Sequence, residues 1–377
     1  MLFSPSVWEN ESFFSPRDII IIGSGFTGLW SAYYLKKANP DKSILILERG
    51  MIPCGASSRN AGFACFGSFT ELLADAQKSG ESGMLSLVEM RYKGLEKIRK
   101  KFRDEEIGYE GLGGFELLPA QKFKDLDDLR TSIDALNHQL KNITGHTKTF
   151  HLNDSRMRQF GLGGAHHIIE NRLEGQLHSG KLLEALTAKV CGMGVSLHTS
   201  VDVKNIGTTE TGIQLETTLP VPLKAQQVLV CTNAFAKSLL PDLDIVPARG
   251  QVLLTEPIEG LKLRGAFHYD EGFYYFRNLG NRVLLGGARN KFFSEEETFS
   301  SEVSDAVQQE LEKFLQETVI PGLPYRVNMR WSGTMAVGAE KLPVIRKIND
   351  RVFCAVRMSG MGVALAPQIG KIISNMM

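Results

Sequence analysis

No run of about 18 apolar residues occurs anywhere in the chain, and the opening MLFSPSVWENESFF has neither a basic n-region nor an apolar core. An integral membrane segment and a secretory leader are therefore not expected, and the chain reads as soluble and cytoplasmic. An excess of one charge is missing as well: 43 basic residues face 42 acidic ones, for a net charge of +1. No overall field would gather nucleic acid or anionic lipid, which leaves small molecules as the favoured partners. Cysteine is scarce. Cys54, Cys65, Cys191, Cys231 and Cys354 are scattered, with no C-x-x-C and no histidine pair at zinc-site spacing, so each reads as a packing residue and no metal is expected. Repeats and low-complexity segments are absent, and 377 residues point to about two domains.

What the chain does contain begins with Asp18 to Ile22, a β-branched run that reads as a strand buried on both faces. A helix follows from Thr27 to Ala38, then a second apolar run, Ser43 to Leu47, ending at Glu48, which completes a β-α-β unit. The next stretch loses that rhythm. Helical spacing predicts helices over Gly83 to Phe102 and Lys122 to Leu140, and glycines predict a hairpin over Gly108 to Leu118. A helix at Gly180 to Val190 leads into short strands at Val195 to His198, Val201 to Ile206, Gly212 to Thr217 and Gln227 to Cys231. Gly250 to Gly287 alternates and is rich in aromatics, as an antiparallel sheet requires. A charged helix is predicted over Ser301 to Thr318, then a strand at Val352 to Val356, a glycine turn and a helix over Met361 to Ile373. The fold class is α/β: a Rossmann-type domain over 1–82, 151–240 and 329–377, with an inserted α+β substrate domain, built on an antiparallel sheet, over 83–150 and 241–328.

Gly23-Ser24-Gly25-Phe26-Thr27-Gly28 fits G-x-G-x-x-G directly after the buried strand, and Glu48 stands twenty positions beyond Gly28. In such a turn Gly23 permits the bend, Gly25 admits the pyrophosphate to the main chain, and Gly28 lets the helix pack close to the sheet. The phosphates would meet a helix N-terminus, where unpaired amides favour negative charge. Glu48 would accept from ribose hydroxyls and repel a 2′-phosphate, which disfavours NADP. The motif alone does not separate NAD from FAD.

The chain resembles the FAD-dependent D-amino-acid oxidase superfamily, which includes glycine oxidase and sarcosine oxidase. The resemblance rests on Gly55-Ala56-Ser57-Ser58-Arg59-Asn60-Ala61-Gly62-Phe63, similar to the members that oxidise γ-glutamylputrescine. It also rests, in order, on Gly175 to His178, Val228 to Ala234, Pro247 to Gln251, Leu284 to Gly287 and Ser359 to Val363. It implies noncovalent FAD, since no cysteine lies near 330–340, where covalent sarcosine oxidases attach theirs. It implies that Glu48 and Arg49 hold the adenosine and that Ser57, Ser58, Arg59 and Asn60 line the pyrophosphate and flavin edge. Val203 would meet the adenine through its backbone, Thr232 and Asn233 would contact the cofactor, and Gly360, Met361, Gly362 and Val363 would face the pyrimidine end of the flavin.

The implied activity is oxidation of the C–N bond of a small amine or amino acid to an imine, with oxygen or a quinone-like carrier as final acceptor. A dry aromatic pocket would favour the reactive neutral amine, and Tyr274, Tyr275, Phe276 and Trp331 are its candidates. Alternation turns Tyr275 and Arg277 to the face opposite Tyr274 and Phe276. Tyr275, Arg277 and Trp331 are the residues expected to serve the reaction, with Arg277 pairing a substrate carboxylate or standing as an ordinary sheet arginine. The chain departs from glycine oxidase-like members in showing Gly333-Thr334-Met335 where those carry G-L-R-P, so Met335 stands in place of a carboxylate-binding arginine. Adjacent His166 and His167 point to opposite faces of a strand and are poor partners for one metal. Two other readings stay open: an N-methyl amine dehydrogenase or demethylase on the same scaffold, and a flavin-binding protein without turnover. A disulfide reductase is excluded by the lack of a second nucleotide motif and a redox cysteine pair.

Overall fold

The computed structural model describes residues 4–119, 122, 123 and 125–377. Met1, Leu2 and Phe3 of the opening segment, and Lys124 of the helix expected from Lys122, lie outside the described residues. The chain divides into two compact units, one of residues up to Ser58 with 180–247 and 335–377, the other of 59–179 with 248–334.

In the first unit the β-branched run becomes the strand Arg17–Ile22, with Ile19, Ile20 and Ile21 fully buried. It pairs in parallel with Ile44–Leu47 on one side and with Leu223–Val230 on the other. The full order is Val344–Lys347, Val352–Val356, Leu223–Val230, Arg17–Ile22, Ile44–Leu47 and Ser196–His198. Only Val344–Lys347 runs antiparallel along that path, and an antiparallel wing of Val203–Thr208 and Ile213–Thr217 joins Leu223–Val230. Helices Phe26–Ala38 and Gly362–Ser374 lie against one another, and they touch because Gly370 has no side chain. A Cβ there would come within 2.6 Å of the Trp30 carbonyl carbon.

The second unit carries a sheet in the order Val327–Val337, Val246–Thr255, Arg282–Gly287, Tyr274–Leu279, Ala266–Tyr269, Gly114–Leu118, His167–Asn171 and Phe150–Leu152. The expected antiparallel character holds from Val246 to Tyr269, but Ala266–Tyr269 pairs in parallel with Gly114–Leu118. The hairpin expected over Gly108 to Leu118 is absent for the same reason. Gly114–Leu118 finds both partners far along the chain, and the glycines serve close packing instead, since a Cβ at Gly114 would overlap the Glu174 carboxylate. The helix expected from Gly83 is the second arm of Phe69–Lys101, which bends where Gly80 takes φ 75°. The helix expected from Lys122 spans Leu126–Thr144, and that expected from Ser301 starts at Asp305, with Ser304 capping it.

The compact units break at 58, 179, 247 and 334, and the limits expected from the sequence were 82, 150, 240 and 328. Both arms of Phe69–Lys101, on either side of the bend at Gly80, fall in the second unit, and His167–Asn171 is hydrogen-bonded into that unit's sheet. Alternation sorts the Tyr274–Leu279 strand as expected. Tyr274 and Phe276 enter an apolar cluster with Phe115, Phe267 and Phe314, while Tyr275 lies with Val252, Leu254, Leu284 and Trp331 on the other face.

The same unit buries three carboxylates beside one guanidinium. Arg91 reaches Glu71 at 3.2 Å, Glu174 accepts from the Phe66 and Gly67 amides at 2.8 and 3.3 Å, and Glu116 accepts from the Thr70 amide at 2.8 Å. Burial pushes Glu116 up to about 7 and Glu174 up to about 8, and repulsion from Glu71 adds to both. Because the folded values exceed the ordinary 4.5, the stability these groups give is complete below pH 4.5 and is lost as pH rises through 7 and 8. Glu174→Gln keeps an oxygen for both amides and removes the ionisation. Its stability relative to the parent, measured by denaturant unfolding, is therefore expected to climb from pH 5 to pH 9; identical pH slopes would refute the assignment.

Candidate functional site

In the first unit three neighbouring parallel strands end in strained backbone at their carboxyl edge, where open α/β sheets receive ligands. Gly23 follows the first strand with φ 104°, Asn233 follows the Leu223–Val230 strand with φ 48°, and Ser359 and Gly360 follow Val352–Val356 with φ 47° and 84°. The glycines of the motif are fixed by the protein itself. A Cβ at Gly23 would come 2.9 Å from the Cys231 carbonyl oxygen, and one at Gly28 would overlap the Gly23 carbonyl.

Gly25 caps the helix Phe26–Ala38 without a side-chain hydrogen bond. Ser57 lies close above it, its hydroxyl accepting from the Phe26 amide at 3.0 Å and standing 2.9 Å from where a Gly25 Cβ would be. The first-turn amides have no partner within the helix. Thr27 and Gly28 are buried behind the cap, and Ser58 is exposed on the short Ala56–Arg59 helix. Glu48 is buried, with one carboxylate oxygen accepting from the Ser24 amide at 3.0 Å and hydroxyl at 2.7 Å, and the other from the Gly50 amide at 2.9 Å. Its spare lone pairs remain available. Beside it Arg49 packs 4.2 Å over the Phe235 ring, and Val201 N–H donates to the Glu48 carbonyl at 2.9 Å, which brings the main chain of Val203 to the same edge.

Three side-chain oxygens at this edge are orphaned. Thr232 Oγ1 and Asn233 Oδ1 are buried with no hydrogen-bond partner in the protein, and so is the oxygen of Ser359, which opens the motif Ser359 to Val363 but was not named as a cofactor contact. Such atoms are rare in native structures unless a ligand or water answers them. Met361 begins the helix Gly362–Ser374 without a side-chain cap, and Val363 is buried on its first turn. Met335 packs here, its sulfur 3.4 Å from where a Gly360 Cβ would stand. An uncapped glycine-rich turn, orphan acceptors and donors, and a buried acid suit a pyrophosphate-bearing nucleotide.

The expected site residues of the second unit have more local engagements. Arg59 donates through Nη1 to the Ser332 carbonyl at 2.9 Å, and its own carbonyl accepts from Trp331 Nε1 at 3.0 Å. Asn60 Oδ1 accepts from Gly62 N–H at 2.8 Å and from the Ser179 hydroxyl at 2.6 Å. Arg277, expected either to pair a substrate carboxylate or to stand as an ordinary sheet arginine, is engaged with main chain. It is 3% exposed, and its Nη1 donates to the carbonyls of Ala61, Gly62 and Leu177 at 3.2, 2.9 and 2.9 Å. The guanidinium clamps main chain from three places instead of opening its fork to a carboxylate. Burial pulls it down to about 10, with Glu110 opposing, and it is still charged at neutral pH.

Tyr275 and Trp331 do share a face, with Phe63 edge-on to Tyr275 at 6.0 Å. The Tyr275 ring lies across Gly286, where a Cβ would stand 2.7 Å from the phenol oxygen. Burial pushes that phenol up to about 12; the Arg289 guanidinium opposes the shift and Glu296 adds to it. Arg289 is the residue that sequence reasoning missed. It follows Ala288, held at φ 60°, and packs 4.7 Å over Phe293, half-buried, with no ion pair or side-chain hydrogen bond among the described residues. The only sequence signal was its place just after Leu284 to Gly287. Of the two adjacent histidines, His167 pairs with Asp154 at 2.8 Å, and no three-ligand metal cluster occurs among the described residues. Nor is any described helix long and apolar enough to cross a membrane.

A family model described as FAD dependent oxidoreductase, DAO, matches residues 18–376. Gamma-glutamylputrescine oxidoreductase of Escherichia coli (strain K12) is 23% identical over 398 residues, covering 100% of this chain and 86% of that one. Among solved structures, L-proline dehydrogenase from P. horikoshii superposes with a TM-score of 0.77 at 18% identity, covering 96% of this chain and 93% of that one. Glycine oxidase from Geobacillus kaustophilus gives 0.74 at 21% identity, covering 96% and 94%. These likenesses show the same fold.

Gly25→Val would push a branched side chain against Ser57 and over the first-turn amides. The variant is expected to purify without flavin, and stoichiometric flavin absorbance in it would count heavily against the site.

Proposed function

The chain belongs to the FAD-dependent oxidoreductase family, DAO, and on that premise we propose that it oxidises the C–N bond of a small amine or amino acid to an imine. Bound noncovalently, FAD supplies the two-electron acceptor for this chemistry. The observation that carries the reading is the Tyr275 and Trp331 face with a half-buried Arg289, in no salt bridge among the described residues, near its tyrosine.

The substrate must react as the neutral amine, while a primary amine resembles lysine, whose pKa is about 10.4. An apolar surface of Tyr275, Trp331 and Phe63 disfavours the ammonium form and so assists loss of its proton to water. Tyr275, pushed up to about 12, stays protonated and acts as a hydrogen-bond donor, not as a base. Arg289 is the cation that takes an anionic group of the substrate, since Nη1 and Nε of Arg277 already donate to main-chain carbonyls. Once the C–N bond is oxidised, the imine is hydrolysed by water to a carbonyl compound and an amine or ammonia. Oxygen or a quinone-like carrier then takes the electrons. The relatives' names span proline, glycine and γ-glutamylputrescine, which supports amine and amino-acid donors alike. Met335 at the position of the family arginine favours an N-substituted or extended amine over a simple α-amino acid.

Anaerobic titration with matched pairs tests the reading: sarcosine against dimethylamine, proline against pyrrolidine, γ-glutamylputrescine against putrescine. At least one amine is expected to bleach the flavin, and a flavin untouched by a broad panel would favour a binding protein without turnover. A charged hydrogen bond contributes about 1.5–3 kcal/mol, so Arg289→Gln should raise the half-saturating concentration of the carboxylate member about 10- to 100-fold. The carboxylate-free member should shift little. Equal shifts for both would dismiss Arg289 while leaving amine oxidation standing.

A further inference from the structure

The loop that carries Arg289 closes on one buried acid. The chain leaves the sheet at Gly287, opposite Gln251 in the register, and its next α-helix begins at Asp305. Between them lies only the short turn Arg289–Lys291, and connections longer than about 12–15 residues with so little structure of their own are usually functional. Two turns in succession lead from Arg289 to Glu296: Phe292 N–H donates to the Arg289 carbonyl and Glu296 N–H to the Phe292 carbonyl, both at 2.9 Å. Of the successive acids Glu295, Glu296 and Glu297, only Glu296 is drawn inside, at 1% exposure. Two side chains of the Val246–Thr255 strand meet it there. Arg249 donates to its carboxylate through Nη2 at 2.6 Å and Nε at 3.0 Å, and Gln251 through Nε2 at 2.9 Å. Arg249 also grips the loop's main chain, its amide donating to the Glu296 carbonyl and its Nη1 to the Glu302 carbonyl, both at 2.7 Å.

Glu296 is felt by a second guanidinium as well. Burial lowers the pKa of Arg289, and Glu296 opposes that shift; the same carboxylate adds to the rise at Tyr275. One buried acid therefore has two arginines within electrostatic reach, and its hydrogen bonds go to only one of them. We infer that Arg249 is a positioning residue for the substrate's anionic group: by occupying Glu296 it keeps that carboxylate from closing on Arg289, an inference that rests on Arg289 being the cation that meets the substrate. A carboxylate has about four lone-pair positions, and Arg249 and Gln251 fill most of those of Glu296. An uncompensated buried charge is costly, so a Glu296 deprived of Arg249 takes Arg289 in its place. Specificity for an anionic substrate then depends on a residue that never touches it.

Arg249→Met tests this in the flavin-loaded protein. Its crystal structure is expected to show Glu296 hydrogen-bonded to Arg289 at about 2.7–2.9 Å, a reading that needs no substrate. Benzoate binding, followed by flavin absorbance with benzamide as the uncharged counterpart, gives a second reading. Benzoate should bind Arg249→Met about 10- to 100-fold more weakly than the parent, with benzamide unchanged. Adding Glu296→Gln should restore benzoate binding because the competing charge is gone, whereas a merely structural role for Arg249 would leave the double variant as weak as the single. Glu296→Gln alone keeps an oxygen for Arg249 and answers the case in which Arg249→Met does not fold; it should bind benzoate at least as tightly as the parent. A tenfold weakening in Glu296→Gln, no recovery in the double variant, or an Arg289 still apart from Glu296 in the Arg249→Met crystal would each overturn the proposal. Arg289→Gln separates the two levels. Unchanged benzoate affinity there would dismiss Arg289 as the anion's partner, while a loss there with none in Arg249→Met would dismiss the positioning role alone.

Discussion

The tight crossover from Ile22 to Phe26 is the constraint on which the nucleotide site rests. The helix sits so close to the strand end that Gly28 faces the Gly23 carbonyl with no space for a methyl group, and Gly23 itself is wedged against Cys231. That closeness aims the first-turn amides outward from the carboxyl edge of the sheet, at the level where the next two strands also turn through left-handed backbone at Asn233 and Ser359. Strain of this kind persists only when surrounding structure enforces it. Here the enforcement comes from parallel pairing of Ile19–Ile22 on both sides and from the close contact of the first and last helices at Gly370.

The second unit is organised by alternation along Tyr274–Leu279. One face of that strand closes the core through stacked Phe267 and Phe276, and the other presents Tyr275 beside Trp331. Buried charge is handled in different ways at different places. Arg249 forks onto Glu296 in a buried ion pair, and Arg277 satisfies itself on main-chain carbonyls. Glu116 and Glu174 shift toward their neutral forms. Arg289 is half-buried with no salt bridge among the described residues, with Glu296 near enough to act on it electrostatically.

Much of the site was legible because its signals are local. The glycine spacing, Glu48 at the end of the second strand, and the turn into the last helix each depend on residues a few positions apart. The two faces of the Tyr274–Leu279 strand followed from a period of two. Ser57 was expected at the pyrophosphate, but its hydrogen bond to the Phe26 amide spans thirty-one positions and had no sequence signature. The main-chain acceptors of Arg277 were not legible for the same reason: Ala61, Gly62 and Leu177 lie 216, 215 and 100 residues away.

The sequence by itself determined the β-α-β unit, the phosphate-binding turn and the alternating aromatic strand, since backbone sterics and side-chain period act within a few residues. Only the tertiary structure decided which segments gather into each of the two units, the parallel insertion of Gly114–Leu118, the engagement of Arg277 with main-chain carbonyls, and the gathering of His268, Asn171 and two glutamates around one cavity. Those outcomes depend on which distant segments meet, and on whether a buried polar group finds its partner there.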